Sequence, residues 1–138
     1  LSPSSAASDV YKRQNRFLLS PLETRRFLDE IGSDYVGMYL DVGNAVYIGY
    51  PEQWIEILGH RIKKLHMSDY RFDQAGIGAF VDLFAGDVDF PAVAKAIAGI
   101  GYDDYITLEM LPNYKQFPEV SLYADKFAMN KIIEMIHL

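Results

Sequence analysis

The chain has 138 residues, half of them apolar, and 19 acidic against 13 basic side chains give it a formal charge of −6. That composition suits one globular unit of α/β or α+β type, and the densest basic stretch, His60-Arg61-Ile62-Lys63-Lys64, is too small to make a nucleic-acid or membrane-surface patch. There is no cysteine, which removes disulfides, thiol nucleophiles and Cys-based zinc sites and is compatible with a cytoplasmic location, and no apolar run reaches the roughly 18 residues of a membrane span.

Residues 1–14 have neither the basic start nor the continuous apolar stretch of a secretory signal. They are read as a non-native or disordered leader, with the folded domain spanning 15–138. Regularity begins at Ser20-Pro21-Leu22-Glu23, a capping box with proline at the first helical position. The helix it opens carries Leu22, Phe27, Leu28 and Ile31 toward a core and stops at Gly32. Tyr35 to Leu40 is a short, almost fully apolar run, as in a strand of a parallel sheet covered on both faces. A second helix is predicted over Pro51 to Leu58, ending at Gly59, and a second strand over Ile62 to His66. After a long Gly-containing loop, Asp89 caps a third helix through Ala98; Gly99 and Gly101 lead to a third strand, Tyr105 to Glu109, and a last helix fits Leu122 to Ile136.

Strict alternation of helix and strand argues for right-handed βαβ units on a parallel sheet. A doubly wound fold often carries a Gly-rich turn after its first strand, and this chain has none of that form. A (β/α)8 barrel needs about 250 residues, roughly twice this chain, so length alone leaves the architecture open. Three strands cannot close a barrel. Val36, Met38, Ile62, Leu65, Ile106 and Leu108 are taken to face its interior, and a chain lacking the rest of that interior is expected to be inactive alone.

Each strand finishes at a residue that can bind a metal: Leu40-Asp41-Val42-Gly43-Asn44, Leu65-His66-Met67-Ser68-Asp69 and Thr107-Leu108-Glu109-Met110. Barrel active sites sit at the C-terminal ends of strands. One imidazole and two carboxylates there suit Mn²⁺, Mg²⁺, Co²⁺ or Zn²⁺.

The stretches "NRFLLSPLE", "YLDVGN", "GYPEQWIEILGHRIKKLHMSD", "GDVDFPAV" and "GYDDYITLEM" resemble the C-terminal part of the xylose isomerase-like TIM-barrel proteins. The similarity runs from Asn15 to about Met110 and is strongest to the sugar and sugar-phosphate 3-epimerases and isomerases. Upstream, Ser4 to Gln14, SSAASDVYKRQ, resembles the in-frame translation of a transposase adapter used in making sequencing libraries. The family resemblance implies an α/β fold, the C-terminal portion of a (β/α)8 barrel, with about three strands and four helices. It implies one divalent metal, Mn²⁺ foremost, held by a Glu, an Asp, a His and a second Glu. Asp41, His66 and Glu109 fall on the last three, while the first Glu would lie near Tyr11-Lys12-Arg13. It also implies a reaction in which a ketose or ketose phosphate loses a carbon-bound proton to give an enediolate, with Glu109 as one of two acid–base carboxylates.

Other residues carry weaker expectations. Asn44 either bonds a sugar hydroxyl or is a loop residue in a left-handed conformation after Gly43. Asp69 either orients His66 or starts the next loop. Arg71 either reaches a substrate oxygen or is solvated. Gly86-Asp87 forms a rim or a turn, His60 lies on the stability face away from chemistry, and Trp54 packs in the core. The partner expected is a small sugar or sugar phosphate, with neither nucleic acid nor membrane; a homo-oligomer is one option for the whole protein. An endonuclease of the same superfamily, acting at abasic sites, would need more histidines than the three present and a basic groove. A non-catalytic binding or interaction module is the other alternative.

Overall fold

The computed structural model describes residues 17–138, so the expectations for residues 1–14 and for the first Glu lie outside the described residues. Helix α1 (Pro21–Ile31) begins as the sequence predicts: the Ser20 hydroxyl accepts the Glu23 N–H at 3.2 Å, and the Glu23 carboxylate reaches back to the Leu19 N–H at 3.0 Å. Gly32, at φ 60°, closes it in the left-handed region that favours glycine. Leu22 and Ile31 are exposed, contrary to expectation, and Thr24 is the buried residue of this helix. The helix packs on another helix rather than on the sheet, so a narrow contact stripe suffices.

Strand β1 covers Met38–Asp41, shorter than predicted at its start. Ser33, Asp34 and Tyr35 form a turn instead, in which the Ser33 carbonyl accepts the Val36 N–H. The chain then passes directly into α2 (Val42–Ile48), a helix the sequence reading missed, and into α3 (Pro51–Leu58), which has its predicted limits. A 3-10 turn over Gly59–Arg61 leads to β2 (Ile62–Met67). A small antiparallel hairpin follows, β3 (Asp69–Tyr70) with β4 (Phe80–Val81), where only a loop was foreseen. Asp89 caps α4 (Phe90–Gly99) by accepting the Ala92 N–H. The last elements are β5 (Ile106–Leu108) and α5 (Glu119–Ile136), which begins three residues before its predicted start.

The main sheet has the order β1-β2-β5, all parallel. Its register contains one irregularity. Met38 stands opposite Ile62, but Tyr39 stands opposite Lys64, leaving Lys63 as an extra residue in β2. Gly37 faces this bulge, and a Cβ there would collide with the Lys63 side chain.

Met38, Leu40, Leu65 and Met67 are buried in one cluster with Trp54, Ile55 and Leu58 of α3, Val93 and Ile97 of α4, and Ile132 of α5. The apolar strand residues therefore face the helices. This corrects the expectation that Met38, Ile62, Leu65, Ile106 and Leu108 face a barrel interior: Met38, Ile62 and Leu65 are core residues under the helices, and Ile106 and Leu108 pack against the same cluster. Val36 is half-buried before β1. The opposite face presents Tyr39, Asp41, Lys64, His66 and Thr107, because side chains alternate across a strand. The result is a two-layer α/β segment of a (β/α)8 barrel, with helices on the outer face and a polar inner face. Among the described residues, no helix is long and apolar enough to cross a membrane.

Leu65 is fully buried at the centre of the middle strand, opposite Leu40 on one side and Ile106 on the other. Leu65→Ala is expected to cost about 2–5 kcal/mol. A denaturant titration of the chain measures this, and an unchanged midpoint would show that the core is placed wrongly.

Candidate metal centre

Three strand ends converge. Asp41 is the last residue of β1 and the N-cap of α2, His66 is the penultimate residue of β2, and Glu109 directly follows β5. The pairing of Asp41 with His66, and of His66 with Thr107 two residues before Glu109, brings all three to the inner face. The Glu109 N–H donates to the Met67 carbonyl at 2.9 Å, extending the ladder to Glu109 itself.

One ligand atom from each of Asp41, His66 and Glu109 lies within 4.8 Å of the others. His66 Nδ1 is 2.6 Å from Glu109 Oε2 and 3.7 Å from Asp41 Oδ2. The short approach to Glu109 lacks the direction of an N–H···O bond, and both Asp41 Oδ2 and Glu109 Oε2 are buried without a hydrogen-bond partner. Buried carboxylate oxygens normally find donors. Two that lack them, aimed with an imidazole nitrogen at one point, fit a divalent cation of the Mn²⁺, Mg²⁺, Co²⁺ or Zn²⁺ type.

The other oxygen of Asp41 is fully engaged. Oδ1 accepts the Asn44 N–H at 2.8 Å and the Ser68 hydroxyl at 2.7 Å, and Ser68 Oγ in turn accepts the Gly43 N–H at 3.2 Å. These bonds fix the carboxylate so that Oδ2 points into the triad. The close approach requires glycine at position 43, since a Cβ there would strike the Ser68 hydroxyl and lie 3.1 Å from the Ser68 carbonyl carbon. Sequence reasoning passed over Ser68; its place two residues beyond His66 was the available signal. Burial, and second the Glu109 carboxylate beside it, push Asp41 up to about 7 against the lowering effect of its Asn44 and Ser68 bonds.

The remaining candidates fall into two groups. Asn44 sits in the first turn of α2, not in a left-handed loop, and is buried beside Asp41 with its side-chain Nδ2 unpartnered. Asp69 is fully buried, and its carboxylate accepts the N–H groups of Tyr70 (2.8 Å), Gly86 (2.8 Å) and Val88 (3.2 Å). Its hydrogen bonds thus go to loop backbone and not to His66. Burial raises its pKa despite these donors. Gly86 must be glycine, because a Cβ would lie 2.6 Å from the Asp69 carboxyl carbon. Arg71 is paired in two places with Asp73, at 3.0 and 2.6 Å, and not with the triad. The Asp87 carboxylate accepts the Phe72 N–H at 2.7 Å, so Gly86-Asp87 forms a turn that ties down the hairpin loop. His60 is exposed in the 3-10 turn before β2, at the end of the sheet opposite the triad, and Trp54 is a core residue.

Comparison with known proteins agrees with this architecture. No curated protein sequence matches the chain. A xylose isomerase domain protein from Alicyclobacillus acidocaldarius superposes with a TM-score of 0.71 at 18% identity, over 88% of this chain and 46% of its own. An IOLI protein with a bound zinc atom gives 0.70 at 19% identity, over 82% and 43%. The D-psicose 3-epimerase of Clostridium cellulolyticum H10, solved with D-tagatose, gives 0.65 at 13% identity, over 88% and 45%. The chain thus spans less than half the length of the solved proteins it resembles. The model of the xylose isomerase-like TIM barrel family matches residues 10–129, and the chain belongs to that family.

Proposed function

We propose that this chain carries part of the active site of a metal-dependent epimerase or isomerase acting on a ketose or ketose phosphate. The observation that carries this reading is the triad, with its two unpartnered buried carboxylate oxygens facing one imidazole nitrogen. Asp41, His66 and Glu109 would hold one divalent cation, with Mn²⁺ the first choice for an oxygen-rich set of this kind. When bound, the cation supplies positive charge beside the oxygens of the substrate on which negative charge develops.

The chain's own groups do the rest. Glu109 takes the proton from the carbon next to the carbonyl; the electron pair of that C–H bond moves into the carbonyl to give an enediolate. Return of a proton to the same carbon inverts or restores its configuration; return to the former carbonyl carbon, with the hydroxyl proton of the first carbon passing to the former carbonyl oxygen, moves the carbonyl. Asn44 would donate to a substrate hydroxyl, a reading supported by its buried Nδ2, which has no acceptor. Ser68 holds Asp41, and Asp69 holds the loop after the hairpin. The relative solved with D-tagatose supports a sugar-sized substrate. The small, mostly polar triad, with three histidines in the whole chain and net acidity, does not favour the endonuclease alternative.

Two experiments test this reading. The protein that carries this chain, incubated with ketoses in D₂O and Mn²⁺, should place deuterium on the carbon beside the carbonyl. Chelation and Glu109→Gln should each abolish that exchange; exchange that survives both would overturn the assignment. Metal binding by calorimetry should weaken roughly tenfold or more in His66→Ala, which removes the nitrogen ligand. It should also depend on pH with a defined sign. The ionised form of Asp41 binds the cation, so below about 7 a proton competes and affinity falls about tenfold per unit, whereas above it affinity levels off. A flat profile from pH 5 to 8 would exclude Asp41 as a ligand.

A further inference from the structure

Beneath the triad, on the same inner face, lies a second set of contacts. Tyr39, two residues before Asp41 on β1, places its ring against the His66 imidazole, with centroids 4.1 Å apart and planes inclined at 51°. Its hydroxyl bonds the Thr107 hydroxyl at 3.2 Å. Thr107 lies on β5, directly beside His66 and two residues before Glu109. The Tyr39 side chain therefore crosses the middle strand from one neighbour to the other and bears on the imidazole on the way.

We infer that Tyr39 and Thr107 form a strap that sets the plane of the His66 ring, making Tyr39 a positioning residue for the metal centre. A histidine side chain turns about two bonds, and among the described residues no hydrogen bond fixes the plane of this ring. Its two polar approaches, Nδ1 to Glu109 Oε2 at 2.6 Å and to Asp41 Oδ2 at 3.7 Å, leave both carboxylate oxygens without a hydrogen-bond partner. Metal-binding histidines usually have their ring oriented by a partner outside the ligand set. Here an aromatic face does so, and an anchored one, since the hydroxyl bond to Thr107 limits rotation of the tyrosine. The register sets the levels: Asp41, His66 and Thr107 stand side by side, Tyr39 lies one side-chain repeat below on β1, and Glu109 lies one repeat above on β5. The strap's geometry stands without a metal, and its consequence for binding rests on the function proposed above.

The test uses the 138-residue chain and two readouts. In the metal-free chain, the carbon-bound ring protons of His66 are followed by NMR. The tyrosine ring should displace them from free-histidine positions, and Tyr39→Leu should remove the displacement. Tyr39→Phe and Thr107→Val should each remove part of it, to the same extent, and the double variant should go no further than either, because both break one bond. In Mn²⁺ titrations, Tyr39→Leu should weaken binding about tenfold, and Tyr39→Phe less. Wild-type shifts at free-histidine values, or shifts unmoved in Tyr39→Leu, would overturn the strap. Should Tyr39→Leu lose its helical circular dichroism, the two milder variants decide, and unmoved shifts in both would count against it. If wild type binds no Mn²⁺, the metal reading fails while the ring shifts still decide the strap.

Discussion

The site depends on a register, and the register depends on one extra residue. Had β1 and β2 paired without interruption from Met38 and Ile62, Asp41 would stand opposite Leu65, a residue that faces the helices. The bulge at Lys63 advances β2 by one residue, so that Asp41 meets His66 with both side chains on the inner face. Gly37 makes room for it, since the Lys63 side chain passes where a Cβ would be. Everything else at the centre follows from that offset: the triad, the tyrosine under the imidazole and the threonine beside it.

Around this frame the molecule balances burial against charge. Asp41 is almost wholly enclosed, and its neighbourhood favours the protonated acid, yet two donors on Oδ1 hold it in place. Asp69 is enclosed as well, but three backbone N–H groups surround it and its role is to shape a loop. One acid belongs to the triad and the other lies three residues beyond His66, and composition makes them alike. What separates them is where their donors lie. Those of Asp41 leave one oxygen bare, while those of Asp69 are shared over both of its oxygens.

Much of this was legible in the sequence. The helix starts at Ser20 and Asp89 and the stop at Gly32 follow from side chains that satisfy terminal N–H groups or allow positive φ, and such local chemistry reads directly. The three candidate metal-binding residues, Asp41, His66 and Glu109, were legible as polar closures of apolar strands, and the structure brings them together. What was not legible needed long-range information. Helix α2 begins on the last residue of β1, with Gly43 and Asn44 in its first turn, residues whose local preferences suggest a loop. The two-residue strands β3 and β4 carry no periodicity to detect. The facing of the strands was misjudged because apolar residues were assigned to the barrel centre, whereas here they lie under the helices and the centre is polar. Ser68 and Tyr39 escaped notice for the same reason: their partners, Asp41 and Thr107, are remote in sequence.

The strand order β1-β2-β5 repeats the order in which these strands leave the ribosome, and no strand of the main sheet is inserted between earlier ones. Pairing β1 with β2 closes the segment that holds α2 and α3, and pairing β2 with β5 closes the one that holds the hairpin and α4. The entropy of closing such segments grows only slowly with their length. A polar inner face adds to this, because water can cover Lys64, His66 and Thr107 while the apolar face is already sealed by α3, α4 and α5. The same pairings that build the sheet in chain order are thus the ones that bring Asp41, His66 and Glu109 together.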